Sequence, residues 1–130
     1  LVHTSVELID ENGNFLAEAT RNRCKDYKKA LKFAYNYESM SHVCTILISS
    51  VMLRRHCLEE VGYFDPLTET FEDWDFYLRF ALKYRIEIIP EALVRFRIHG
   101  AHSSLAEFTR GRINTSLKHI RVLVDSYNTP

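Results

Sequence analysis

The stretch from Phe71 to Phe80 reads F-E-D-W-D-F-Y-L-R-F, and it constrains the fold more than any other part of the chain. Three carboxylates, Glu72, Asp73 and Asp75, surround Trp74, the single tryptophan. Trp74, Tyr77, Leu78, Ala81 and Leu82 follow at helical spacing, which predicts a helix from Asp73 to Tyr84. Carboxylates just ahead of an apolar helix suit the positive end of its dipole. Taken alone, the stretch reads as an acidic cap on a core helix, and only its neighbours can say whether it does more.

With 130 residues, 46% hydrophobic and 26% charged, the chain can form one globular domain, 1–130, with a real core. Its 17 basic residues balance 17 acidic ones, which argues against nucleic acid as a partner. Cys24, Cys44 and Cys57 are odd in number and lack C-x-x-C spacing, so they read as reduced thiols in the cytoplasm. The apolar run from Val43 to Leu53 is interrupted by Thr45, Ser49 and Ser50 and is too short to span a bilayer. Any membrane association is therefore expected to be peripheral, at the inner face. The chain opens on Leu1, directly in a strand-like run, and is expected to be a piece of a longer protein.

Val2 to Ile9 and Phe15 to Ala19 flank Asp10-Glu11-Asn12-Gly13-Asn14, and Asn-Gly between two such runs predicts a hairpin. A calcium loop is excluded, because Phe15 stands where the loop glycine is needed. Lys25 to Tyr37 form an amphipathic pattern, with lysines opposite Tyr27, Ala30, Leu31, Ala34 and Tyr35. Val43 to Ser49 reads as a buried strand, and Met52 to Val61 as a short helix closed by Gly62. Beyond the central helix, Ile86 to Ile89 and Ala92 to His99 read as two strands joined by Pro90-Glu91. Alternation in the second places Val94, Phe96 and Ile98 on one face and Arg95, Arg97 and His99 on the other. That cationic row suits an anionic ligand or a metal-bound phosphate. Ile113, Leu117, Ile120 and Val124 predict a long last helix, with an ordinary charge run around it.

Asp73-Trp74-Asp75 has the D-x-D spacing of a cation site, but in a helix positions i and i+2 point about 200° apart. The two cannot share an ion, and Asp75 is expected to be a dipole or packing partner. Asp73 with Glu72, at a loop-to-helix junction beside an aromatic ring, could act as a general base toward a hydroxyl. A capping pair needs the same residues. His99 could ligate a metal through a neutral imidazole, although a histidine ending a strand is more often structural.

From Ser50 the chain carries S-V-M-L-R-R, then V-G-Y-F-D, then E-D-W-D-F-Y-L-R, then a strand closing in F-R-I-H. In this order the segments resemble the second half of the family 2 glycosyltransferases, inverting enzymes with a GT-A fold. Over roughly residues 43 to 104 that family typically shows S-x-M-x-R-R, V-G-x-F-D, E-D-x-D-x-x-x-R and Y-R-x-H. The resemblance implies an α/β chain: a partial GT-A, Rossmann-like fold with a mixed sheet of short strands, flanking helices and a long C-terminal helix. It implies Asp73 as the base that deprotonates an acceptor hydroxyl, with Glu72 as its partner and Trp74 beside the acceptor. It further implies Arg97 and Ser104 near the donor phosphates. His99 would complete the coordination of a divalent metal, Mg or Mn, on the donor diphosphate. Arg79 is expected to pair with a carboxylate. The implied partners are a nucleotide-sugar donor and a saccharide or lipid-linked saccharide acceptor.

The chain departs from the family in lacking a strand-helix nucleotide-binding unit and a strand-end aspartate pair. The N-terminal half is therefore expected elsewhere in the protein, and these residues alone are expected not to transfer sugar. Self-association through an apolar face left open by that half is a further expectation. Q-x-x-R-W is also missing, which points to addition of single sugars. The alternative is a non-catalytic binding or assembly module that retains the fold.

Overall fold

The computed structural model describes residues 1–31, 35–42, 44–68 and 71–98. Among the described residues three strands form one sheet in the order β2-β1-β3, with β1 (Val2–Ile9) central between β2 (Val51–Met52) and β3 (Glu87–Arg97). β1 runs antiparallel to β2, pairing Val2 with Met52, and parallel to β3, pairing Val2 with Glu87 and Ile9 with Arg97. The sheet is thus mixed, in agreement with the α/β expectation. Flanked on both sides, β1 buries nearly all its side chains, including His3, Thr4, Ser5, Val6, Leu8 and Ile9.

β3 is one strand where the sequence suggested two. Its register on β1 steps from Thr4↔Ile89 to Ser5↔Ala92 and then to Val6↔Val94, so Pro90, Glu91 and Leu93 are left outside the pairing. Proline has no N–H to give a ladder and confines itself to edges and bulges. Beyond the bulge the predicted alternation holds, with Val94 and Phe96 half-buried and Arg95 and Arg97 exposed.

The hairpin expected after β1 shrinks to a single bridge between Ile9 and Phe15. Asp10 ties the turn: its carboxylate accepts the Asn12 and Asn14 backbone N–H groups at 2.9 and 2.7 Å and the Asn14 side-chain amide at 2.9 Å. Gly13 takes φ +88°, which a Cβ would disfavour. The chain then enters helix α1 (Ala17–Leu31), which begins well before Lys25 because Leu16, Thr20 and Leu8 bond to one another. Leu16 N–H donates to the Leu8 carbonyl, and Leu8 N–H to the Thr20 hydroxyl, fastening α1 to β1. Tyr37, expected at the end of that helix, instead starts α2 (Tyr37–His42).

The strand expected over Val43 to Ser49 does not form among its described residues, 44–49. Residues 44–47 are irregular, and a short 3-10 turn, Ile48–Ser50, follows. The Ser50 N–H and hydroxyl both donate to the Leu47 carbonyl, at 2.9 and 2.7 Å. A serine hydroxyl offers the backbone this alternative to a ladder. Helix α3 (Arg55–Val61) ends at Gly62, as expected.

Helix α4 (Glu72–Ala81) is the centre of the core. Trp74, Phe76, Tyr77, Leu78 and Phe80 are all buried, so the helix is covered on almost every side. They pack with Met40, Ile46, Cys57 and Ile86. Each such side chain contributes about 1.5–3 kcal/mol by leaving water. Among the described residues no helix is long and apolar enough to cross a membrane. The predicted last helix, from Ile113 to Val124, lies outside the described residues.

Candidate functional site

The first turn of α4 carries Glu72, Asp73 and Trp74 in succession, about 100° apart around the axis, and each is held differently. Glu72 is exposed. Asp73 is half-buried, and its Oδ1 accepts the Trp74 N–H at 2.7 Å. That bond satisfies one of the N–H groups a helix start leaves open, while the N-cap position itself falls on Phe71, which makes no side-chain capping bond. Burial raises the Asp73 carboxyl above the ordinary carboxylate range, against the lowering effect of the Trp74 N–H, and the neighbouring Glu72 charge raises it further. Such a carboxylate binds a proton more readily than one in open water.

Asp75, two residues on, occupies the opposite environment. It is fully buried and its Oδ2 lies 2.9 Å from Arg79 Nε. Arg79 also donates from Nη1 to the Val61 carbonyl at 2.8 Å and from Nη2 to the Tyr63 carbonyl at 2.8 Å. One guanidinium therefore joins a buried carboxylate to the end of α3 and the loop behind it. The second carboxylate of D-x-D is structural, as the helix geometry requires.

Trp74 is 3% exposed, its indole N–H donates to the Met40 carbonyl at 2.7 Å, and its ring meets that of Phe71 edge-on. Its ring face is committed to the core here, and stacking on an acceptor sugar would require that face to open. The irregular segment 44–47 passes close by: the Asp73 charge adds to the burial that pushes the Cys44 thiol up to about 12.

Arg97 does not join this group. Its Nη1 donates to the Asp10 and Glu11 carbonyls at 3.0 and 2.8 Å, clipping the turn after β1 to the end of β3. Arg95 pairs with Glu7 at 3.2 Å. His99 and Ser104 lie outside the described residues. Among the described residues no three His, Cys, Asp or Glu side chains converge where a cation could be held. A cleft of about 510 Å³ lined by Tyr35, Ala81, Tyr84, Arg85 and Ile86 opens at the other end of α4, away from Asp73.

Two features escaped the sequence. Phe71, the residue before Glu72, has φ 67° and ψ 30°, a left-handed conformation that no pattern of residue types announces. The carbonyl partners of Arg79 are backbone atoms, which any residue could supply.

Three curated proteins are similar to the chain. The uncharacterized glycosyltransferase YwdF of Bacillus subtilis is 33% identical over 100 residues, covering 77% of this chain and 35% of that protein. The uncharacterized glycosyltransferase MJ1057 of Methanocaldococcus jannaschii is 28% identical over 114 residues, covering 87% and 37%. The uncharacterized glycosyltransferase RP339 of Rickettsia prowazekii is 27% identical over 105 residues, covering 80% and 31%. The chain spans about a third of the length of the curated relatives it matches. No family model matches it, and no solved structure does.

Proposed function

We propose that this chain is the acceptor-side portion of an inverting glycosyltransferase of family 2, with Asp73 as the general base. Similarity to three proteins named glycosyltransferases supports sugar transfer as the activity of the whole protein. The single observation that carries the assignment of the base is the contrast between Asp73 and Asp75. One carboxylate is spent on a buried ion pair, while the other stands half-buried at the helix start with a raised proton affinity. A general base works best when its proton affinity approaches the working pH, and burial moves Asp73 in that direction.

In this reading Asp73 accepts the proton of an acceptor hydroxyl as the oxygen attacks the anomeric carbon and the nucleoside diphosphate leaves. Inversion follows from a single displacement. Glu72 keeps the local charge negative and so favours the protonated form of Asp73. Trp74, anchored on Met40, holds the first turn in place. The donor site is proposed to belong to the part of the relatives that lies outside the matched stretch. A divalent cation on the donor diphosphate would need His99 together with groups beyond the described residues. The described side chains do not form its site.

The deciding experiment is Asp73→Asn in the full-length protein, with nucleoside diphosphate release measured across a panel of nucleotide sugars. Transfer is expected to fall by a factor of about 10²–10⁴, the usual worth of a general base. Unchanged turnover would favour a module that keeps the fold without the chemistry.

A further inference from the structure

Among the described residues, Phe71 is the one non-glycine residue with a positive φ. An N-cap residue ordinarily has an extended backbone, as Arg54 does ahead of α3 with φ −77° and ψ 135°. Phe71 is left-handed instead, and its side chain makes no capping bond. A bulky residue persists in that region only when its surroundings over-determine it. Here they do. The Phe71 carbonyl accepts the Asp75 N–H at 3.0 Å, and its ring meets the Trp74 ring edge-on with centroids 5.7 Å apart. Trp74 in turn is pinned by its indole N–H to the Met40 carbonyl.

The reversal falls on the residue that immediately precedes Glu72 and Asp73, so it sets the direction in which that pair leaves the turn. We propose that the left-handed backbone of Phe71 is a positioning device for the Glu72–Asp73 pair, holding the Asp73 carboxyl half-buried where it can take a proton from an acceptor. This rests on the general-base reading of Asp73. The backbone does the aiming, and the ring is the clamp that keeps a phenylalanine in a conformation it would otherwise leave. Asparagine, which tolerates the left-handed region unaided, needs no such clamp; valine, branched at Cβ, strongly resists the conformation.

The test is a titration of the Asp73 carboxyl carbon by NMR in the full chain, in the wild type, Phe71→Asn and Phe71→Val. The midpoint is expected above the ordinary carboxylate range in the wild type and in Phe71→Asn. In Phe71→Val it should fall toward that range as the side chain turns to solvent. A Phe71→Val midpoint equal to the wild type would overturn the proposal. So would a fall in Phe71→Asn, which would mean that the ring merely covers Asp73, and so would a wild-type midpoint already in the ordinary range. If Phe71→Val does not fold, the Phe71→Asn midpoint still decides. Retention of transfer by Asp73→Asn in the full-length protein would remove the catalytic reading while leaving these midpoints intact, so the two failures are distinguishable.

Discussion

Asp75 and Arg79 stand one turn apart on α4 with Oδ2 and Nε separated by 2.9 Å, and the carboxylate is completely buried. A buried charge is tolerable only while its partner and hydrogen bonds stay in place. Arg79→Ala is therefore expected to destabilise the chain by about 3–5 kcal/mol, since it strands Asp75 and releases the Val61 and Tyr63 carbonyls together. Arg79→Lys should rescue little, because one ammonium cannot reproduce the planar fork that serves the carboxylate and two carbonyls. Urea unfolding followed by the emission of Trp74, the only indole, measures both.

Asp73 should respond in the opposite sense. Its folded-state proton affinity is raised above the value of 3.8 by burial, so the fold favours the protonated form. The ionised form costs stability at neutral pH, and that cost disappears as the pH falls below 3.8. Asp73→Asn is expected to unfold at higher urea than the wild type at pH 7, with the difference vanishing in acid. A gain in stability alongside a loss of transfer would identify a residue kept for chemistry.

His3 lies near the start of β1, fully buried, with its ring edge-on to Tyr35 at 4.8 Å. Burial lowers its pKa from 6.5 to about 4. The unfolded chain binds the proton first, so stability is complete above pH 6.5 and is lost as the pH falls toward 4. The loss should approach about 3 kcal/mol, from 1.36 kcal/mol per unit. His3→Phe should flatten this dependence, as measured by urea midpoints at neutral and mildly acidic pH.

Gly62 closes α3 at φ 89° and ψ 164°, a region that residues with a Cβ rarely enter. A Cβ there would meet Arg79 Nη1 at 3.5 Å, an ordinary contact, so the cost of a side chain lies in the backbone conformation. Gly62→Ala is expected to cost about 1–3 kcal/mol by thermal or urea unfolding. It should also raise the exchange rate of the Gly62 amide, which donates to the Leu58 carbonyl at 3.0 Å.

Trp74→Phe should retain most of the packing and lose the bond from the indole N–H to the Met40 carbonyl. Leaving that buried acceptor open is expected to cost about 1–3 kcal/mol. Circular dichroism in urea reads it, since the variant has no indole.

Residue order alone is enough to place the helix that carries Glu72, Asp73 and Trp74, because an apolar repeat behind an acidic turn is a local pattern of helical period. It also determined the opposite fates of Asp73 and Asp75, the halt of α3 at Gly62 and the alternation of Val94 and Phe96 against Arg95 and Arg97. Each depends on residues a few positions apart. What the chain does with Val43 to Ser49, with Pro90-Glu91 and with Arg97 could not be read that way. An apolar β-branched run becomes a strand only if a partner edge is offered, and β1 offers its edge to Val51–Met52 instead. Pro90 interrupts a ladder without ending the strand because Ala92 and Val94 regain their pairing with β1. Arg97 turns to the Asp10 and Glu11 carbonyls because parallel pairing brings its end of β3 beside the turn that follows β1. The depth at which Trp74 sits, with its indole N–H on the Met40 carbonyl, was likewise beyond local pattern. Tertiary structure decided these points because each depends on which distant backbone group arrives alongside, and residue order does not record that.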